Sequence, residues 1–293
     1  MIARAQTACE LGTHAVCALA IKPIRRGEPS MVGQLLDHLG PADLLIWDRG
    51  VFGYELIRSV VRRGVHLLAR VKSNTVLRPI RRLPDGSYLA KIYPNDADRR
   101  RDLRGLPVRV VEYTHDDPNR PGAGDRHRLI TDLTNPQDMP AHEAPLVYHE
   151  RWEQELAFDE IKTHLSGRAV PIRSKAPAGV VQEVYGLVLA HYVVRRVMHD
   201  AAAVASQDPD RLSFIDSLRV LQCQLPESPG ADTETWYRGL LREARHQMLR
   251  PRRDRWYARV IKRKMSNWNN KRPEHRDPPQ PTKPVRDAVV LLI

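Results

Sequence analysis

Cysteine is scarce in this chain: Cys9, Cys17 and Cys223 are the three among 293 residues. An odd number with no short, metal-like spacing supports neither a disulfide framework nor a zinc site, and it fits a reducing compartment. No apolar run approaches the roughly twenty residues of a membrane span, and the opening MIARAQTACE lacks the apolar core of a signal peptide. The expectation is therefore a cytoplasmic protein with no membrane partner. Acidic residues are also short, 35 against 47 lysines and arginines, leaving a formal charge of +12. That excess favours a polyanionic partner, nucleic acid first, through phosphate neutralisation and counterion release. The alternative is a basic enzyme whose charge serves solubility. With 42% hydrophobic residues the chain is too apolar to be disordered throughout and can bury one large core or two smaller ones.

Patterning divides the chain into segments. THAVCALAIKPI reads as extended, and Ser30 reads as the N-cap of a helix through MVGQLLDHL that Gly40-Pro41 ends. ADLLIWDRG is a short buried strand with Asp48 at its carboxyl end, followed by a helix from Tyr54 to Arg63 and a second buried strand in GVHLLARVKSN. Helix and strand alternation predicts parallel pairing under a helical cover. From Thr75 to Asn135 short alternating segments (SYLAKIY, LPVRVVEYTH, HRLITDL) between polar turns predict a β-rich insertion. A long amphipathic helix is expected over Pro140–Gly167 and a more apolar one over Gly179–Ala205. Beyond Gln224 the chain turns polar and then basic, and DPPQPTKP reads as an extended or disordered tail.

One helical stripe carries chemistry. At about 100° per residue, positions three, seven and fourteen beyond Tyr148 fall at roughly 300°, 340° and 320°, so Tyr148, Arg151, Glu155 and Lys162 share a face. Leu156, Phe158, Ile161, Leu165 and Trp152 supply an apolar edge that could seat the helix on a sheet. Glu155 could ligate Mg2+, Arg151 and Lys162 could neutralise phosphate, and Tyr148 could donate a hydrogen bond to a phosphodiester. The plain alternative is that Arg151 and Glu155 form an ordinary i, i+4 pair on a solvated helix.

The segment YHERWEQELAFDEIK resembles the Tyr-x2-Arg-x3-Glu-x6-Lys signature of DDE transposases of the insertion-sequence-four group, with every signature residue and spacing matched. ELGTHAVCALAI, LLIWDRGVFGYELI, LLARVKSN, RLITDL, PIRSKAPAGVVQEVYGLVLAHYVVRRVM and KRKMSNW resemble further blocks of that family in order, from about Ala3 to Lys271. The resemblance implies an α/β fold: an RNase H-like mixed sheet flanked by helices, with a β-rich insertion between the second catalytic Asp and the Glu-bearing helix. It implies that Asp48 and Glu155 are catalytic and hold two divalent ions, Mg2+ with Mn2+ as an alternative. Tyr148, Arg151 and Lys162, with Arg173 and Lys175 in the following loop, would contact DNA. It further implies cleavage and strand transfer at insertion-sequence ends by a homodimer in a synaptic complex. For Asp48 by itself, capping the next turn is the competing duty.

The resemblance leads us to expect the first Asp of the family site upstream of Ala3. None of Glu10, Glu28, Asp37 and Asp43 falls at that position, so the expectation is an amino-terminally truncated chain with an incomplete metal site, Glu10 serving structure or a secondary contact instead. The expected division is a first core part over 1–74, a β-rich insertion over 75–138, a helical second core part over 139–224, and a basic region and tail over 225–293. A noncatalytic DNA-binding remnant and a structure-specific nuclease stay open as alternatives.

Several residues have two readings. Arg252, Arg253, Arg255, Arg259, Lys262, Arg263 and Lys264, interleaved with Trp256, Tyr257 and Trp268, could grip a DNA backbone or form a solvated tail. Tyr88, Tyr93 and Tyr113 could stack on an unpaired base or simply pack across strands. His14 and His191 read as hydrogen-bonded core histidines rather than ligands.

Overall fold

A computed structural model describes residues 3–23, 29–166, 172–225, 232–249 and 278–292. The chain divides into two compact units, Met1–Leu39 with Glu150–Arg252 and Gly40–His149 with Arg253–Ile293. The first unit opens on an antiparallel hairpin of β1 (Ala3–Cys9) and β2 (Val16–Pro23), with a bulge at Ala8/Cys9. Glu10 ties the turn: its carboxylate accepts from the Gly12 amide at 2.9 Å and the Thr13 amide at 2.6 Å, the structural duty expected of it. Helix α1 (Pro29–Leu36) places Met31 and Leu35 against Ala18 and Ala20. Ser30 lies inside α1 instead of capping it.

The second unit is built on one mixed sheet in the order β3-β4-β8-β7-β6-β5. Strand β3 (Leu44–Trp47), helix α2 (Tyr54–Arg62) and strand β4 (His66–Arg70) form a parallel crossover, with Leu44 opposite His66. Gly64, at φ 76°, makes the left-handed exit from α2 that a residue with a Cβ adopts only at a cost. Strands β5 (Arg81–Arg82) and β6 (Tyr88–Ile92), helix α3 (Asp96–Arg101), and strands β7 (Leu106–His115) and β8 (His127–Thr131) follow. The β-rich stretch is not a layer apart. Strand β8 satisfies the open edge of β4 by antiparallel pairing, Leu68 opposite Thr131, so the later strands extend the sheet that β3 and β4 begin. Helix α4 (Ala144–His149) completes the core there, with Tyr148 packed among Leu68, Val111, Tyr113 and Leu129. The buried Arg109 fixes the approach to α4: it ion-pairs with Asp85 and donates to the Met139 carbonyl at 2.6 Å.

Back in the first unit, the expected long helix is a succession of different helical turns. A 3-10 turn (Glu150–Trp152) leads into α5 (Glu153–Asp159), and a π turn (Glu160–Leu165) follows directly. Helices α6 (Pro177–Val204), α7 (Phe214–Gln224) and α8 (Thr233–Ala244) enclose a core of Val194, Met198, Ala201, Leu212, Phe214, Leu221 and Leu240. Helix α8 falls where the sequence pattern reads only as polar. Its signals are an Asp232 side chain accepting from the Thr235 amide at 3.2 Å and an inward row at Trp236, Leu240 and Ala244. In the second unit, helix α9 (Val285–Ala288) and strand β9 (Val289–Leu291) correct the tail expectation, because β9 pairs with β7 and Asp117 accepts from the Thr282 and Lys283 amides.

Candidate active site

Asp48 sits just past the carboxyl end of β3, where a parallel strand releases its last side chain beyond the sheet. Its Oδ1 accepts from the Arg49 amide at 2.7 Å, capping a 3-10 turn, and from the Tyr148 hydroxyl at 3.2 Å. Asp48 thus performs the capping duty that competed with a chemical role, and it also meets a signature residue. Tyr148 is only 7% exposed, so its ring belongs to the core and its single hydroxyl proton is directed at Asp48.

Glu155 lies on α5 in the first unit with a half-exposed side chain. The Arg151 guanidinium is 3.7 Å from its carboxylate, an ion pair longer than a hydrogen bond, and stacks 5.2 Å from the Trp152 ring centroid. Lys162 is exposed, with its ammonium 4.7 Å from the Phe158 ring centroid. The uniform stripe needs correction, since a π turn advances each residue by less than an α turn and Lys162 falls behind Glu155. The apolar edge also differs: Trp152 and Leu156 are exposed, while Ala157 and Ile161 are buried and Leu165 packs against the helical core, not a sheet.

Arg173 and Lys175 are exposed in the loop before α6. The backbone of this loop already serves a carboxylate, because Glu183 accepts from the Arg173 and Ser174 amides at 2.7 Å each. Gly179 is required beneath this loop, where a Cβ would stand 2.6 Å from the Ser174 hydroxyl. Tyr88 and Tyr113 are buried; the Tyr88 hydroxyl donates to Glu112 at 2.7 Å, and burial followed by that carboxylate raises its pKa. Tyr93 is partly exposed and donates to Asp102 at 2.7 Å. Arg252, Arg253, Arg255, Trp256, Tyr257, Arg259, Lys262, Arg263, Lys264 and Trp268 lie outside the described residues.

The sequence pattern gives no warning of the charge network under α5. His14 and His191, both fully buried, are hydrogen-bonded as their apolar settings imply, but their partners are charged. His14 Nε2 lies 2.6 Å from Glu153, and His191 Nε2 lies 2.9 Å from Glu160. Arg195 donates through Nε to Glu160 at 3.0 Å, through a second nitrogen to its other oxygen, and also to His14 Nδ1. Burial works to raise the Glu160 pKa, but the hydrogen bond from His191 and the Arg195 guanidinium outweigh it and hold the carboxyl well below the usual range.

His14, Glu153 and Asp210 each bring one ligand-type atom within 4.8 Å of the others, which raises the question of a metal. The tautomer argues against one. A guanidinium only donates, so His14 Nδ1 accepts from Arg195 and the ring proton sits on Nε2, shared with Glu153. No lone pair is left there for an ion. Burial opposes charging the ring while Glu153 and Glu160 raise its pKa, but a second proton at Nδ1 would have to displace Arg195.

Residues 2–193 match the model of the transposase DDE domain. The chain belongs to the transposase DDE domain family. That match contains Asp48, Tyr148, Arg151, Glu155 and Lys162, and the family's RNase H-like class agrees with the mixed sheet flanked by helices. The chain is also similar to transposase InsG for insertion sequence element IS4 of Escherichia coli (strain K12), with 28% identity over 264 residues. The aligned part covers 86% of this chain and 58% of that relative, so the chain spans little more than half the relative's length. No helix among the described residues is long and apolar enough to cross a membrane.

Proposed function

We propose that this DDE-family chain is a DNA transposase that cleaves insertion-sequence ends and joins them to a target in a magnesium-dependent reaction. The observation that carries the reading is the family match across a stretch holding both Asp48 and the whole Tyr148–Lys162 signature. Asp48 and Glu155 offer hard carboxylate oxygens, the donor type that Mg2+ takes and Mn2+ accepts. Bound there, such ions supply Lewis-acid activation of water or a DNA 3′-hydroxyl. Two of the three carboxylates the family chemistry uses are assigned by this reading.

The chain's own groups have separable tasks. Tyr148 keeps Asp48 oriented through its hydroxyl, Arg151 restrains Glu155, and Lys162 with Arg173 and Lys175 carries positive charge toward phosphates, contacts that position DNA without reading its sequence. A homodimer bringing two ends together is the natural assembly for this chemistry. The test is cleavage and joining of a plasmid that carries the element's ends, in Mg2+, with native protein, Asp48→Asn and Glu155→Gln. Native products that vanish in both variants support the reading, and products that persist in both sink the site assignment. A noncatalytic DNA-binding protein is the second reading; DNA binding by the native chain with no cleavage in either metal would favour it.

A further inference from the structure

The face of α5 opposite Glu155 is gripped at two points. Glu153 precedes Glu155 by two residues, about 200° around the helix, and Glu160 follows by five, about 140° around, so both project away from the side Glu155 occupies. Glu153 is held by His14, from the β1–β2 turn, and Glu160 by Arg195 and His191, from α6. Gln154 adds a third tie, donating to the Thr7 carbonyl of β1 at 2.9 Å. His14 reaches its partners from a left-handed backbone, φ 56°, a conformation that a residue with a Cβ keeps only when its surroundings hold it there.

The π turn follows from the same grip. In a continuing α-helix the next inward residue after Glu160 and Ile161 is His164. Here Leu165 packs on the helical core and His164 turns to Asp159 at 3.4 Å. One extra residue in the turn lets the buried carboxylate and the partly buried leucine face α6 together, and it rotates Lys162 relative to Glu155.

We infer that Glu160, through Arg195, His191 and His14, is a positioning residue that sets the directions of Glu155 and Lys162 by stabilising the π turn. The inference rests on the proposed transposase reading, in which Lys162 meets a DNA phosphate. Nothing in it requires Glu160 to touch DNA, since the residue is 7% exposed and its carboxylate is occupied by His191 and Arg195.

The test measures binding of the full chain to a mixed-sequence linear DNA duplex across a range of salt. The slope of log affinity against log salt falls by about one for every phosphate that the protein no longer neutralises. Lys162→Ala is expected to lower the slope by about that amount, and Glu160→Gln to lower it similarly while far-UV circular dichroism stays native. An unchanged slope in Glu160→Gln beside a lowered one in Lys162→Ala overturns the positioning role and leaves the DNA reading standing. If Lys162→Ala itself leaves the slope unchanged, the DNA contact fails and the inference fails with it. Should Glu160→Gln not fold, His191→Leu, which removes one donor to Glu160 and keeps the ion pair with Arg195, carries the same readout. A lowered slope supports the inference and an unchanged slope overturns it.

Discussion

Asp48 and Glu155 are put in place by opposite physical means. Asp48 is delivered by regular structure: a parallel strand ends, the sheet stops, and one backbone amide and one tyrosine hydroxyl fix the carboxylate. Glu155 sits on a helix whose geometry changes from 3-10 to α to π, held from behind by buried charges. Sheet hydrogen bonding tolerates the removal of one side-chain partner because many equivalent bonds remain. A buried carboxylate does not tolerate the removal of its counter-charge.

The sharpest way to break this comparison is Arg195→Met, which leaves Glu160 buried without its guanidinium. Urea unfolding is expected to reveal a destabilisation of about 3–5 kcal/mol. A change below about 1 kcal/mol would mean the network is a surface-like pair and the contrast between the two carboxylates is false.

Acid separates the two units by window. His115, on β7, has its pKa pushed down to about 4 by burial and then by the charges of His127 and Arg120. Its contribution to stability is complete above the unfolded value of about 6.5 and is lost as pH falls from there toward 4. Glu160, held below the ordinary carboxyl value of 4.5, contributes fully above that value and loses its contribution only as pH drops below it. Hydrogen exchange at about pH 5.5 compared with neutral pH is therefore expected to loosen the sheet around His115 before the α5–α6 region. The reverse order would show that the charge network is the weaker element.

Tyr148→Phe is the mildest probe. It removes one hydroxyl whose ring stays packed, so a cost of about 1 kcal/mol in thermal or urea unfolding is expected. A cost several times larger would place a further buried polar partner on that hydroxyl and make Asp48 as network-dependent as Glu155.

Legibility in the sequence follows the same division. The strands at Leu44–Trp47, His66–Arg70, Tyr88–Ile92 and His127–Thr131 were readable because apolar runs and alternation report local burial. The Asp48 position and the signature spacing were readable for the same local reason. The joining of β8 to β4, the docking of residues 278–292 and the helix α8 were not, since the first two depend on partners far along the chain and α8 hides its apolar row among charges. The burial of Tyr148 was also missed, because a tyrosine in a polar signature looks the same whether its ring faces solvent or a sheet.

The sequence alone determined the family, the α/β alternation and the residue types available for chemistry, since these depend on composition and short-range order. Tertiary structure alone decided which face of α5 is gripped. His14 and Glu153 are 139 positions apart, and Arg195 and Glu160 are 35 apart. Charge pairing across such separations has no periodic trace in a chain. It exists only once folding removes water from both partners and makes each the other's nearest compensation.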